Sequence, residues 1–300
     1  MTSPRPMLKT KLCDLLGIDY PILQSGMGGI AGPELAAEVS AAGGLGILAG
    51  RLKTADQLRA EIGRIRGATD RPFGVNLWLH RDMCPPAPAA AVSDQAVAAV
   101  QQVLNSFRRQ LGLPERHDPP PQPPDLVAEA FQVILDERVP VFSTVFGPPD
   151  RPMVDECGHR GIKVIAMVSS AEEARTVVAN GADVVVAQGS EAGGHRGTFA
   201  KPPSSELGAI GTLALVPEVV DAVRAPVVAA GGLADGRGLV AALALGAAGI
   251  LMGTRFVATR ESTAADSYKK TILERGADST TLTDAFSGLY ARAIRNTYTE

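Results

Sequence analysis

The stretch DVVVAQGSEAGGHRG, residues 183–197, joins two segments of opposite character. Asp183 to Gln188 is an apolar, valine-rich run that reads as a buried strand. The nine residues after it contain four glycines and present one acid, one histidine and one arginine: Glu191, His195 and Arg196. Glycine at that density makes a poor helix and a strand with little to pack. Such a segment either turns a corner or is shaped around something other than itself, and loops at strand ends are where function concentrates. The rest of the chain decides between these readings.

Outward from this strand, short apolar runs alternate with amphipathic stretches, the rhythm of βα units around a parallel sheet. Five strands precede it: Pro21 to Ser25, Leu45 to Ala49, Phe73 to Leu77, Val141 to Val145 and Lys163 to Val168. Two follow, Pro226 to Ala230 and Gly249 to Met252. Helices are expected from Pro33-Glu34, over Thr54 to Ile65, Asp125 to Glu137, Ala171 to Ala179 and Gly238 to Leu245. Thr54 and Gln57 stand at capping-box spacing. Eight parallel strands in sequence, with helices between them, is the count of a TIM (β/α)8 barrel. One domain over residues 1–300 accounts for the chain. The rhythm breaks once, between the third and fourth strands. Residues 84–124 carry two proline clusters, Pro85, Pro86, Pro88 and Pro119 to Pro124, around a helical stretch at Ser93 to Leu111. This insertion is either a lid or an inert surface excursion.

Composition narrows the function. The 300 residues are 45% hydrophobic and 20% charged, as in a globular protein with a large core. A net charge of −3 without a basic run excludes a nucleic-acid partner. No apolar stretch reaches the length of a membrane span, and the N-terminus lacks the pattern of a secretory signal. The three cysteines, Cys13, Cys84 and Cys157, are odd in number and far apart. They read as free thiols in a reducing cytoplasm. The four histidines, His80, His117, His159 and His195, show no metal-ligand spacing, so no metal is expected.

In a TIM barrel the functional groups follow the C-terminal ends of the strands. After the first strand come Met27 and Gly28. The third strand carries Asn76 and the sixth ends in Gln188. Gly231-Gly232 follow the seventh, and the eighth closes with Leu251-Met252-Gly253-Thr254. The loops after strands seven and eight form the recurrent phosphate site of this barrel. No GxxxxGK[ST] sequence is present, which excludes a P-loop nucleotide site. One phosphate site, two uncharged amides and a glycine loop suit a flavin mononucleotide, FMN, whose ring carbonyls and N–H groups the amides can bond. His195 then lies in a loop over the ring, placed to accept or give a proton. Glu191 and Arg196 orient that loop.

The segments PILQSGMGG, FGVNL, QGSEAGGHRG, AAGGLADGRG, ALGAAGILMGTRF and DAFSGLYARAIRN together resemble the nitronate monooxygenase family, formerly the 2-nitropropane dioxygenases. The resemblance spans nearly the whole chain outside the insertion. It implies an FMN-binding TIM barrel that oxidises alkyl nitronates with dioxygen. By motif it places Asn76, Gln188, Gly193, Gly232 and Leu251 to Thr254 at FMN and His195 at the reacting centre. The flavin-dependent enoyl-acyl-carrier-protein reductases share the same template. Gln188 favours the monooxygenases, because the reductases commonly carry glutamate there. Gly26 and Leu289-Tyr290 replace the proline and Arg-Pro usual in the monooxygenases. The expected function is oxidation of a small-molecule nitronate or nitroalkane by dioxygen, giving a carbonyl product and nitrite. The alternative is an NAD(P)H-dependent reductase of an enoyl-type substrate.

Overall fold

In the computed structural model, residues 8–79, 93–118, 126–200 and 210–299 are described. The chain groups into two compact units, residues 1–79 with 126–300, and residues 80–125.

The larger unit is built on eight parallel strands: β1 (Ile22–Gln24), β2 (Gly46–Ala49), β3 (Phe73–Trp78), β4 (Val141–Val145), β5 (Lys163–Val168), β6 (Val184–Gln188), β8 (Val227–Ala230) and β9 (Gly249–Met252). They pair in the order β1-β9-β8-β6-β5-β4-β3-β2. A parallel bridge between Leu23 and Leu45 joins the two ends of that order. Beside the bridge the Gln24 side chain replaces a missing rung. Its Oε1 accepts from Ile47 N–H at 3.0 Å, and its Nε2 donates to Ile47 O at 3.2 Å. A fully buried glutamine thereby satisfies backbone groups that the short β1 cannot reach. The barrel expected from the strand count is the fold observed.

Alternation along the strands divides the core in two. Leu23, Ile47, Val141, Ile165, Val184, Val186, Val228 and Leu251 form one cluster. It includes Leu12 and Leu16 of α1 (Lys11–Leu16). Leu48, Val75, Leu77, Phe142, Val164, Val185, Ala229 and Ile250 form the other, against the helices. Those helices are α2 (Pro33–Ala41), α3 (Ala55–Ala68), α5 (Val127–Asp136), α6 (Arg151–His159), α7 (Ala171–Ala179), α8 (Thr212–Ala222) and α9 (Gly236–Ala244). The capping box at the start of α3 is present, with Gln57 N–H donating to Thr54 Oγ1 and Thr54 N–H to Gln57 Oε1. Neither α6 nor α8 stands out in the sequence. Pro152 and Gly158 obscure the first and Pro217 the second. α2 lies so close to β2 that a Cβ on Gly46 would sit 1.9 Å from Ala36 O, which is why that position tolerates no side chain.

Beyond the barrel strands the chain forms α10 (Thr254–Val257), α11 (Asp266–Glu274) and a small antiparallel sheet. That sheet pairs β10 (Thr280–Thr283) with β11 (Ala291–Ile294), and β11 with β7 (Gly194–His195). The second unit contains α4 (Asp94–Gln110), capped by Ser93, where the insertion's helix was expected. The two proline clusters, Cys84 and His80 lie outside the described residues.

Candidate functional site

The strand alternation that builds the core also aims the site. Val75 and Leu77 pack toward the helices, so Asn76 and Trp78 take the opposite face. Val184 and Val186 share the interior cluster, and Gln188 follows them at the same parity. Asn76 and Gln188 are both buried near the C-terminal ends of their strands. They stand three strands apart in the barrel. Asn76 Nδ2 donates to Ser143 Oγ at 3.1 Å on the neighbouring strand. Gly26 lies directly against Asn76, and a Cβ there would come within 2.5 Å of the Asn76 Cβ. Gly26 is thus matched to the close approach of this loop to β3.

Gln188 is engaged by its own loop. Its Nε2 donates to His195 O at 3.0 Å, and its Oε1 accepts from Gly197 N–H at 2.7 Å. Both ends of the amide grip the histidine segment. Arg196 adds a bond from Nη1 to Gln188 O at 2.9 Å. Glu191 accepts from Thr212 N–H and Thr212 Oγ1 at the start of α8. Burial works to raise the Glu191 carboxyl, but the bonds from Thr212 and Ser190 outweigh it and hold the group below the usual carboxylate range. Glu191 and Arg196 thus orient the loop, as expected.

His195 itself is not in a free loop. It sits on β7, paired with Ala291 of the C-terminal tail. A partner almost a hundred residues later leaves no trace in a two-residue strand. Arg196 N–H donates to Tyr290 O at 2.8 Å, and Arg292 Nε donates to Ser190 O at 2.8 Å, so the tail straps both sides of the loop. His195 Nε2 lies 2.7 Å from Ser287 Oγ. The imidazole is half-buried beside two aromatic rings. Its centroid is 5.1 Å from Trp78 and 5.9 Å from Phe146, both edge-on, and those two rings are 4.6 Å apart. Phe146 is almost fully buried and adopts φ of +62°, costly for a bulky residue. The guanidinium carbon of Arg51 stands 4.0 Å over the Trp78 ring. Burial pushes the His195 imidazole down, and the Arg51 charge pushes it further. Both effects favour the neutral ring.

The remaining sequence-derived residues gather nearby. Met27 Sδ lies 3.4 Å from where a Cβ of Gly253 would be. A Cβ on Gly193 would meet Thr254 Oγ1 at 2.8 Å, so the histidine loop and the loop after β9 are in contact. Gly231 and Gly232 have φ of +109° and +69°, and a Cβ on either would meet the segment Gly189 to Ala192. Leu251 and Met252 are buried in β9, and Met252 O accepts from Ser25 N–H. Gly28 faces open space, with nothing within 4 Å of where a Cβ would be. The N–H groups of Gly231, Gly232 and Gly253 have no acceptor among the described residues. Main-chain donors at glycines of this kind can approach an anion closely.

Four residues of this site escaped the sequence reading: Arg51, Trp78, Phe146 and Ser287. Trp78 had a usable signal, being the chain's one tryptophan and two positions beyond Asn76 on the same strand face. Ser287 lay in a recognised tail segment but had no role until the fold brought it to His195. A cavity of about 650 Å3 lies at the opposite end of the barrel against Gly17, Phe73, Val141 and Lys163. It touches none of the residues above. Among the described residues no cluster of His, Cys, Asp and Glu could hold a metal, and no helix is long and apolar enough to cross a membrane.

Comparison with known proteins agrees with this geometry. A probable nitronate monooxygenase of Staphylococcus saprophyticus is 38% identical over 291 residues, covering 97% of this chain and 80% of its own. Nitroalkane oxidase from Streptomyces ansochromogenes superposes with a TM-score of 0.84 at 40% identity, covering 96% of this chain and 79% of that one. FabK from Thermotoga maritima, an enoyl-ACP reductase, superposes with a TM-score of 0.75 at 36% identity, covering 98% and 76%. The family model for nitronate monooxygenase matches residues 9–300. The chain is therefore an oxidoreductase of the nitronate monooxygenase family.

Proposed function

We propose that this protein uses FMN to oxidise alkyl nitronates, and the nitroalkanes they come from, with dioxygen, giving a carbonyl compound and nitrite. The observation that carries this reading is the state of His195: half-buried, beside Trp78 and Phe146, kept neutral by burial and by Arg51. A neutral imidazole suits the removal of the α-proton of a nitroalkane. It is a poor store of the proton that an enoyl reductase must deliver. The identities to the nitroalkane oxidase and to FabK, 40% and 36%, are too close to separate the two chemistries.

FMN would supply the redox couple between the nitronate and dioxygen. The Gly231-Gly232 and Gly253-Thr254 segments would hold its phosphate, with Met27, Gly28 and Gly193 bordering it and Leu251-Met252 backing it. Asn76 and the N–H of Gln188 not used on the loop would face the ring. His195 would be the catalytic base. With thiols at Cys13 and Cys157 both free and buried, we place the protein in the cytoplasm.

The test is anaerobic mixing of the purified protein with propan-2-nitronate and, separately, with NADPH while the flavin absorbance is followed. Bleaching by the nitronate, with nitrite and acetone released on admitting air, is the expected result. Bleaching by NADPH alone would shift the assignment to the reductase. FAD or no flavin in the denatured extract would overturn the cofactor.

A further inference from the structure

The histidine segment is tied at its start by Glu191 and in its middle by Gln188, and another carboxylate takes its far end. Glu173 stands in the first turn of α7, just after β5, and is half-buried. Its N–H donates to Oγ of the N-cap, Ser170, at 3.2 Å. A glutamate at that position ordinarily turns its carboxylate back onto the helix start. Here one oxygen does so. Oε2 accepts from Ser169 N–H at 2.6 Å and from Ser169 Oγ at 3.0 Å. Oε1 instead leaves the helix, accepting from Phe199 N–H at 2.8 Å and from Thr198 Oγ1 at 3.1 Å. The Thr198 hydroxyl also lies 3.1 Å from Ala200 O, so the Phe199 amide is the constant link.

This contact falls just beyond His195 and bears on it. Between them Gly197 is buried, and a Cβ there would come within 2.9 Å of Met167 Sδ and 3.1 Å of Val145 Cγ2. The segment is thus seated on the ends of β4 and β5, where Glu173 can reach it. Gln188 holds His195 O and Gly197 N–H, so a shift at Thr198 is passed directly to bonds that orient the histidine. Glu173 also acts on Arg196. Burial pushes that guanidinium down, and the charges of Glu173 and then Glu191 support its cationic form.

We infer that Glu173 is a positioning residue, which fixes the outgoing end of the histidine segment through Thr198 and Phe199 and so keeps His195 where it can take a substrate proton. That His195 takes a proton rests on the function proposed above; the hold of Glu173 on the segment does not.

The test follows backbone hydrogen exchange of the flavin-loaded protein, together with turnover of a neutral nitroalkane and of its preformed nitronate. Glu173→Ala removes both oxygens while Ser170 still caps α7. Glu173→Gln keeps one acceptor oxygen without the charge. Exchange in the peptide covering residues 196–200 should quicken roughly 10- to 100-fold in Glu173→Ala, the worth of bonds to a charged acceptor, and less in Glu173→Gln. Nitroalkane turnover should fall about tenfold at full flavin, because a displaced base is off the line to its proton. Oxidation of the nitronate, which needs no base, should fall far less. Flavin content and circular dichroism establish which variants are folded, and Glu173→Gln decides the matter if the alanine variant is not. Unchanged exchange at residues 196–200 in a folded variant would overturn the inference. So would faster exchange with an unchanged ratio of nitroalkane to nitronate turnover, or equal losses on both substrate forms. Faster exchange in a protein whose flavin ignores the nitronate would keep the hold of Glu173 on the segment and remove the proposed function instead.

Discussion

His195 Nε2 stands 2.7 Å from Ser287 Oγ, across 92 residues of sequence. A neutral ring that donates Nε2–H to this hydroxyl leaves Nδ1 as the nitrogen able to accept a proton. Ser287→Ala should therefore slow proton removal from a neutral nitroalkane by about tenfold, the scale of one hydrogen bond of ~1.4 kcal/mol. Ser287→Thr should restore most of the rate. Flavin content should be unchanged in both. Equal rates for Ser287→Ala and the wild type would show that β7 alone orients the ring.

Replacing His195 with asparagine separates its roles. Turnover of the neutral nitroalkane should fall by roughly 10²- to 10⁴-fold, the usual share of general base catalysis. The preformed nitronate has already lost its proton, so its oxidation should suffer far less. Flavin occupancy, read from the absorbance ratio, should stay close to that of the wild type. Loss of flavin with both activities would make His195 a structural residue.

Burial, then Arg51, holds the imidazole below its ordinary pKa of 6.5. The neutral base therefore persists to lower pH than in a free histidine. The acid limb of kcat/KM for a neutral nitroalkane should have its midpoint below 6.5, with activity rising as pH rises through it. The folded protein resists a proton that the unfolded chain accepts near 6.5. Stability should thus decline as pH falls from about 6.5 toward the folded value. Chemical denaturation at several pH values checks this, and His195→Asn should flatten that part of the curve. A midpoint above 6.5 would contradict the electrostatics of the site.

At Gly232, φ is +69° and a Cβ would lie 3.3 Å from that of Glu191. Gly232→Asp adds a carboxylate beside one already present and against the proposed phosphate cradle. It should yield folded but flavin-free protein. Gly232→Ala, which brings the backbone strain without the charge, should keep part of its flavin. Full flavin in the aspartate variant would place the phosphate elsewhere.

The barrel was legible because its physics is local. Each strand is a short apolar run, many turns carry glycine, and the start of α3 announces itself through Thr54 and Gln57. The glycines at 193, 231, 232 and 253 and the amides at 76 and 188 were legible too, since strand ends in a known barrel map onto one rim. The surroundings of His195 were not. Its strand is two residues long and exists only through Ala291, its hydrogen-bond partner is Ser287, and its walls come from β3 and from the turn after β4. Gln188 could be read as a buried amide at a strand end, yet whether it faced a ligand or its own loop depended on where Gly197 came to rest. Sequence by itself determined the repeating unit, and with it the fold and the end of the barrel that carries the chemistry, because hydrophobic period and turn residues act between near neighbours. Only the tertiary structure decided the protonation state and orientation of His195, because desolvation and the field of Arg51 depend on distances between segments far apart in the chain.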